Sequence, residues 1–120
     1  MNIEEIRAYC MAKPGFTEGF PFNDTALVFK VAGKMFALTD VDTFKSVNLK
    51  CDPELAPRLR EEYTAVKPGF HMNKKHWNTI EMDQTVPDQT IFDWIDHSYE
   101  LVVSGLSAKI RKEIEKSFNP

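Results

Sequence analysis

The spacing of apolar positions changes period several times along the chain, and each change predicts a new element. Ile3, Ile6 and Cys10 recur at helical spacing, with Asn2 ahead of them as a cap and Glu5 three residues further on. Pro14-Gly15 removes a donor and frees the backbone, so the spacing predicts a helix over residues 3–12. After a Gly/Pro/Phe-rich stretch from Phe16 to Phe22, residues 26–31 and 35–39 are rich in β-branched and aromatic side chains. Ala32-Gly33-Lys34 lies between them, a hairpin signal. Val47, Leu49 and Cys51 then alternate with Ser46, Asn48 and Lys50, as in a strand with one buried face.

Asp52-Pro53 offers a cap followed by a residue suited to a helix start, but Pro57 would delete a hydrogen bond inside a helix. A short turn at 53–55 and a helix over 57–63 are therefore predicted. In the second β region, from Thr64 to Met82, Phe70-His71-Met72 and Trp77-Asn78-Thr79-Ile80 flank Asn73-Lys74-Lys75-His76, which reads as a hairpin with a basic tip. Phe70 is expected in the sheet core; Trp77 is left open, since Trp is commonly only partly buried. Pro87-Asp88 opens a long helix carried by Ile91, Trp94, Ile95, Ser98, Leu101 and Val102, with Gly105 interrupting it. The charged segment after Ser107 is helix-prone, with Ile110 and Ile114 four apart.

The order α-β3-α-β2-α, with short links within each strand run, predicts an α+β two-layer sandwich: an antiparallel sheet of about five strands with helices on one face. The expected organisation is a single domain over 1–106 and a charged C-terminal helical extension or tail over 107–120.

Composition narrows the class. The chain has 120 residues, 42% hydrophobic and 28% charged, enough for one core and too apolar for intrinsic disorder. Two cysteines make no disulfide framework, no apolar run reaches the length of a membrane span, and the acidic start is unlike a signal peptide. These features predict a soluble cytoplasmic protein with no membrane partner.

Longer motifs carry a resemblance. Gly69-Phe70-His71-Met72-Asn73-Lys74-Lys75-His76-Trp77-Asn78-Thr79, with Lys50-Cys51-Asp52-Pro53-Glu54 before it and Asp96-His97-Ser98-Tyr99-Glu100-Leu101-Val102 after it, resembles the signature of the MmcQ/YjbR family. Pro14-Gly15, Glu18, Pro21-Phe22 and the hairpin from Val31 to Phe36 fit the same pattern. The resemblance runs from about residue 3 to residue 106; the tail beyond Leu106 is longer than the family core requires. It implies a CyaY-like α+β fold and a DNA-binding role through two hairpins presented as a double wing. It implies no enzymatic activity and no cofactor, and fold kinship alone does not fix function.

Charge gives this implication mixed support. Fifteen Lys+Arg against eighteen Asp+Glu leave a net −3, without the basic excess usual in DNA-binding proteins. Locally, no acid stands between Glu62 and Glu81, and no Lys or Arg from Trp77 to Ala108. A basic hairpin and an acidic third helix are the expectation. The candidate DNA-binding residues are Lys67, Lys74 and Lys75 for weak, salt-sensitive phosphate contact, with His71, Asn73, His76 and Trp77 beside them. Asn73-Lys74-Lys75 reads equally as a solvated turn, so a protein-interaction module without catalysis stays open, as does a small-molecule binder or enzyme using His71, His76 and Trp77. No metal site is expected, because Cys-x-x-Cys and His-Glu-x-x-His spacings are missing. Cys10 and Cys51 are expected as buried packing residues and Asp40-Val41-Asp42 as a tight turn, leaving no catalytic residue to nominate.

Overall fold

A computed structural model describes residues 1–118 of the chain. Its elements are α1 (Ile3–Met11), β1 (Phe16–Gly19), β2 (Ala26–Val31), β3 (Lys34–Asp40), β4 (Ser46–Lys50), α2 (Leu55–Glu62), β5 (Val66–Pro68), β6 (Trp77–Glu81), α3 (Asp88–Ser104) and α4 (Ala108–Phe118). The strands form one six-stranded sheet in the order β1-β2-β3-β4-β6-β5, antiparallel throughout. The predicted α+β architecture therefore stands, with one strand more than expected and a fourth helix in the tail. Residues 119–120 of the expected tail lie outside the described residues.

Local chemistry accounts for most boundaries. Asn2 caps α1 by accepting the Glu5 amide at 2.9 Å. Asp52 accepts the amides of Glu54 and Leu55, and α2 begins at Leu55, earlier than predicted. Pro57 is tolerated because it occupies the first turn, where an amide has no intrahelical acceptor to lose. The predicted strand at Phe70-His71-Met72 does not form. His71 has φ +59°, a left-handed backbone that cannot continue a strand, and the partner of β6 is Val66–Pro68. β1, which lacks a clear alternation, is held by pairing with β2 from Phe16↔Val31 to Gly19↔Val28.

The core lies between one face of the sheet and the helices. Phe29, Val31, Phe36, Ala37, Val47, Leu49 and Ile80 pack with Ile6 and Cys10 of α1, Ala56 and Leu59 of α2, and Ile91, Ile95 and Val102 of α3. α4 reaches the same side. A Cβ added at Gly15, whose φ is +75°, would lie 3.2 Å from Ile114 and 3.3 Å from Val31. Strand alternation then assigns Thr17, Val28, Lys30, Leu38, Asn48, Lys50, Lys67, Trp77 and Thr79 to the opposite face. Val28 and Trp77 are buried yet stand outside the main cluster, in keeping with that assignment.

Ser98 fastens α3 to the sheet. Its fully buried hydroxyl donates to the Phe36 carbonyl at 2.5 Å and accepts the Lys50 amide at 2.9 Å. At the outer edge, the Val66 amide already donates to the Tyr63 carbonyl, and Pro68 has no amide to offer. Ser98→Ala leaves both backbone groups of its bridge without that partner, and should cost about 1–3 kcal/mol. A lower urea midpoint at unchanged slope checks this.

Candidate nucleic-acid interface

All strands being antiparallel, one end of the sheet collects the β2–β3 turn at Ala32-Gly33, the end of β4 at Lys50, and the connection from Gly69 to His76 between β5 and β6. Lys30, Lys34, Lys50, Lys74 and Lys75 all belong to this end. Among the described residues none of them is in an ion pair with a carboxylate. Asp52 and Glu54 follow close behind Lys50, and the Asp52 carboxylate is engaged at the start of α2. The other end of the sheet carries Asp24, Asp40, Asp42, Glu81 and Asp83, with Lys45 among them. Charge is thus separated along the strand axis. The expected acidic third helix is partly neutralised, since Lys13 of the α1–β1 link lies 2.5 Å from Asp96.

The Gly69–His76 loop is built from its own backbone bonds. The Gly69 amide donates to the Trp77 carbonyl at 3.0 Å and the Met72 amide to the Gly69 carbonyl at 3.2 Å. Asn73 Oδ1 accepts the amides of Lys75 and His76, so its side chain serves the turn. Lys74 Nζ folds back onto the Gly69 carbonyl at 3.0 Å, whereas Lys75 extends into solvent. Beneath the loop, Arg60 of α2 acts as a clamp. Its Nε donates to Asn78 Oδ1 at 2.7 Å, and its Nη2 donates to the Lys74 carbonyl. Asn78 is buried and also donates from Nδ2 to the Ala56 carbonyl, which removes it from contact with a base edge.

The remaining candidates separate by environment. Trp77 is only 9% exposed and lines a groove of about 410 Å³ with Lys34, Met35, Lys50, Leu101, Val102, Gly105 and Leu106, without either histidine. His76 is half-buried, its carbonyl accepting the Cys51 amide. His71 is exposed, its ring tilted 56° against Phe70 with centroids 4.1 Å apart. Lys67 is exposed on β5 near Asp83, whose carboxyl is held below its usual range, chiefly by hydrogen bonds from Thr85 and least by Lys67. Phe70, expected in the core, is 67% exposed. The error has a simple source: the strand pattern was extended through a turn. Arg60 went unnoticed because a lone arginine in a charged helix carries no motif, and only the fold brings it to Asn78.

Other candidate chemistry finds little support. Cys10 and Cys51 are buried and free, as expected. Burial pushes their thiols up to about 12 and about 11, the reverse of nucleophile activation. Asp40 forms the expected turn, accepting the amides of Asp42 and Thr43. Among the described residues, no group of three His, Cys, Asp or Glu is placed to hold a metal. No helix among them is long and apolar enough to cross a membrane.

Fold and loops define a two-layer α+β protein with two connections and several lysines gathered at one end of its sheet. The family model YjbR matches residues 11–101, and the chain belongs to that family. It is 39% identical over 113 residues to the Escherichia coli K12 protein YjbR, covering 93% of this chain and 96% of that one. Similarity to YbdF of Escherichia coli O157:H7 is 35% over 96 residues, 79% of each chain. Among solved structures, the Deinococcus radiodurans protein DR2400, with its DUF419 domain, superposes with a TM-score of 0.89 at 38% identity, covering 95% of this chain and 88% of that one. A Pseudomonas syringae protein superposes at 0.71 with 26% identity, over 84% of this chain and 98% of that one. These names state no ligand or reaction, so kinship establishes family and fold.

Two outcomes follow from the local geometry. A Cβ at Gly69 would lie 2.8 Å from Trp77 Cβ and 2.9 Å from its carbonyl, so Gly69→Ala should destabilise the protein by about 1–3 kcal/mol. Faster hydrogen exchange should appear at the amides of Met72 and His76 before those of α3. The Cys10 thiol ionises near 12 when folded, far above the ~8.5 of an unconstrained cysteine. Above that lower value the unfolded chain sheds a proton the folded one keeps, so stability should fall as pH rises from about 9 to 11. Denaturant titrations across that range measure the decline.

Proposed function

We propose that this protein binds DNA through the phosphate backbone, using the lysine-bearing end of its sheet. The observation that carries the reading is the gathering of Lys30, Lys34, Lys50, Lys74 and Lys75 there, outside any ion pair among the described residues. Lys34, exposed at the start of β3, and Lys75, exposed on the Gly69–His76 loop, stand on either side of Lys50 in the strand order. The exposed Lys109, Arg111 and Lys112 of α4 extend the basic surface on the helical side, where Ile114 packs near Gly15 and Val31. Electrostatic neutralisation by a handful of lysines gives modest affinity that falls steeply with salt. The net charge of −3 works against long-range attraction, and the segregation of acids to the far end lessens that opposition locally. Free, buried thiols fit a reducing cytoplasmic setting.

A second reading, a protein-interaction module, is favoured by the opposite end. There the exposed Phe20 lines a groove of about 570 Å³ with Ile3, Leu27, Val41 and the Arg7–Glu18 ion pair.

The two readings separate in one titration. Labelled DNA bound at several salt concentrations should give a log–log slope of about −4, from roughly 0.9 per phosphate contact. Lys34→Glu combined with Lys75→Glu should weaken binding at least tenfold and make the slope shallower by about 2, while the melting temperature stays unchanged. No binding at low salt, or binding indifferent to the double substitution, would refute the DNA reading.

A further inference from the structure

The lysine-bearing end also carries an aromatic group that packing does not explain. Phe70 is 67% exposed, although it sits beside a sheet that buries Trp77 within the same loop region. Its position is fixed. The Phe70 amide donates to Thr79 Oγ1 at 2.8 Å, and Thr79 lies on the sheet face away from the helices. His71, the next residue, takes the left-handed backbone at φ +59° and sets its ring against Phe70 at a 56° tilt. A non-glycine residue in that conformation is disfavoured and persists only where its surroundings enforce it. Here the Gly69–Trp77 and Met72–Gly69 backbone bonds and the Arg60 clamp close the loop on both sides. The loop thus holds an aromatic pair out in solvent, its two rings tilted against each other.

The neighbours of this pair are cationic. Lys67 lies on the same sheet face as Thr79, Lys50 pairs in register with Trp77, and Lys75 projects from the same loop. An exposed aromatic pair at an end of the sheet that also carries these lysines matches an unpaired nucleotide, whose base presents a free π-face and whose backbone presents phosphate. Duplex DNA answers only half of this chemistry, since its base faces are already stacked on one another. We propose that the preferred ligand is single-stranded DNA, with a base stacked on the exposed Phe70 ring beside His71 and adjoining phosphates held by Lys50, Lys67 and Lys75. The proposal rests on the phosphate-binding reading above and adds the strandedness of the ligand.

Fluorescence anisotropy with a labelled oligothymidylate of about 20 nucleotides and a mixed-sequence duplex of equal length, at low and moderate salt, tests it. The single strand should bind more tightly than the duplex. Phe70→Ala should lose about tenfold for the single strand, leave duplex binding and the melting temperature unchanged, and Phe70→Trp should restore the loss. Lys34→Glu with Lys75→Glu should weaken both polymers. If Phe70→Ala binds the single strand as tightly as the parent protein, or the duplex is preferred, the stacking proposal is wrong and the phosphate reading survives. If neither polymer binds at low salt, both are wrong.

Discussion

The register between β4 and β6 is the constraint on which the rest of the molecule depends. Val47 opposite Ile80 and Leu49 opposite Asn78 face the helices, which places Asn48 with Thr79 and Lys50 with Trp77 on the other side. A slip of one residue would exchange the two faces entirely. The Ser98 hydroxyl binds the Lys50 amide from the helical layer, and the Arg60 guanidinium holds Asn78 from α2, so both helices read the same pairing. Sheet and helical layer are thereby locked to each other, and the long loop before β6 inherits a fixed starting point.

How much of this was legible in the sequence depends on how local each cause is. Helix α1 was readable because Asn2, the Ile3/Ile6/Cys10 spacing and Pro14 all lie within a few turns. β4 was readable from alternation, and β3 from its β-branched and aromatic content beside a hairpin signal. β1 was not, because Phe16–Gly19 owes its conformation to pairing with β2 rather than to its own pattern. The assignment of Phe70 to the core failed, while Trp77, left open by the sequence, is the buried one. An alternation carried through Gly69 and His71 misplaces the strand, and a left-handed residue is invisible to composition. The cationic loop was found from its lysines, but its clamp, Arg60, lies 18 residues before Asn78 and meets it only in the folded chain.

The charge pattern shows the same division between local and long-range information. A run free of acids was evident around Lys74 and Lys75, but Lys30, Lys34 and Lys50 join them only because antiparallel strands return their ends to one place. The same topology gathers Asp40, Asp42, Glu81 and Asp83 at the far end. A small negative net charge thus conceals a dipolar molecule. For such a protein the sum of charges is a poor guide to the partner it meets, and the arrangement along the strands is the better one.

Pro68 has a bearing on self-association. With its amide missing and that of Val66 already occupied, the β5 margin offers no outward donor for another chain to zip onto. Strand addition is left with the β1 margin, and growth from one margin alone ends with a pair of molecules, since extended fibrils need both sides of every subunit. Pro68 and the inward-turned Val66 amide together deny this margin the donors that edge-to-edge pairing would use.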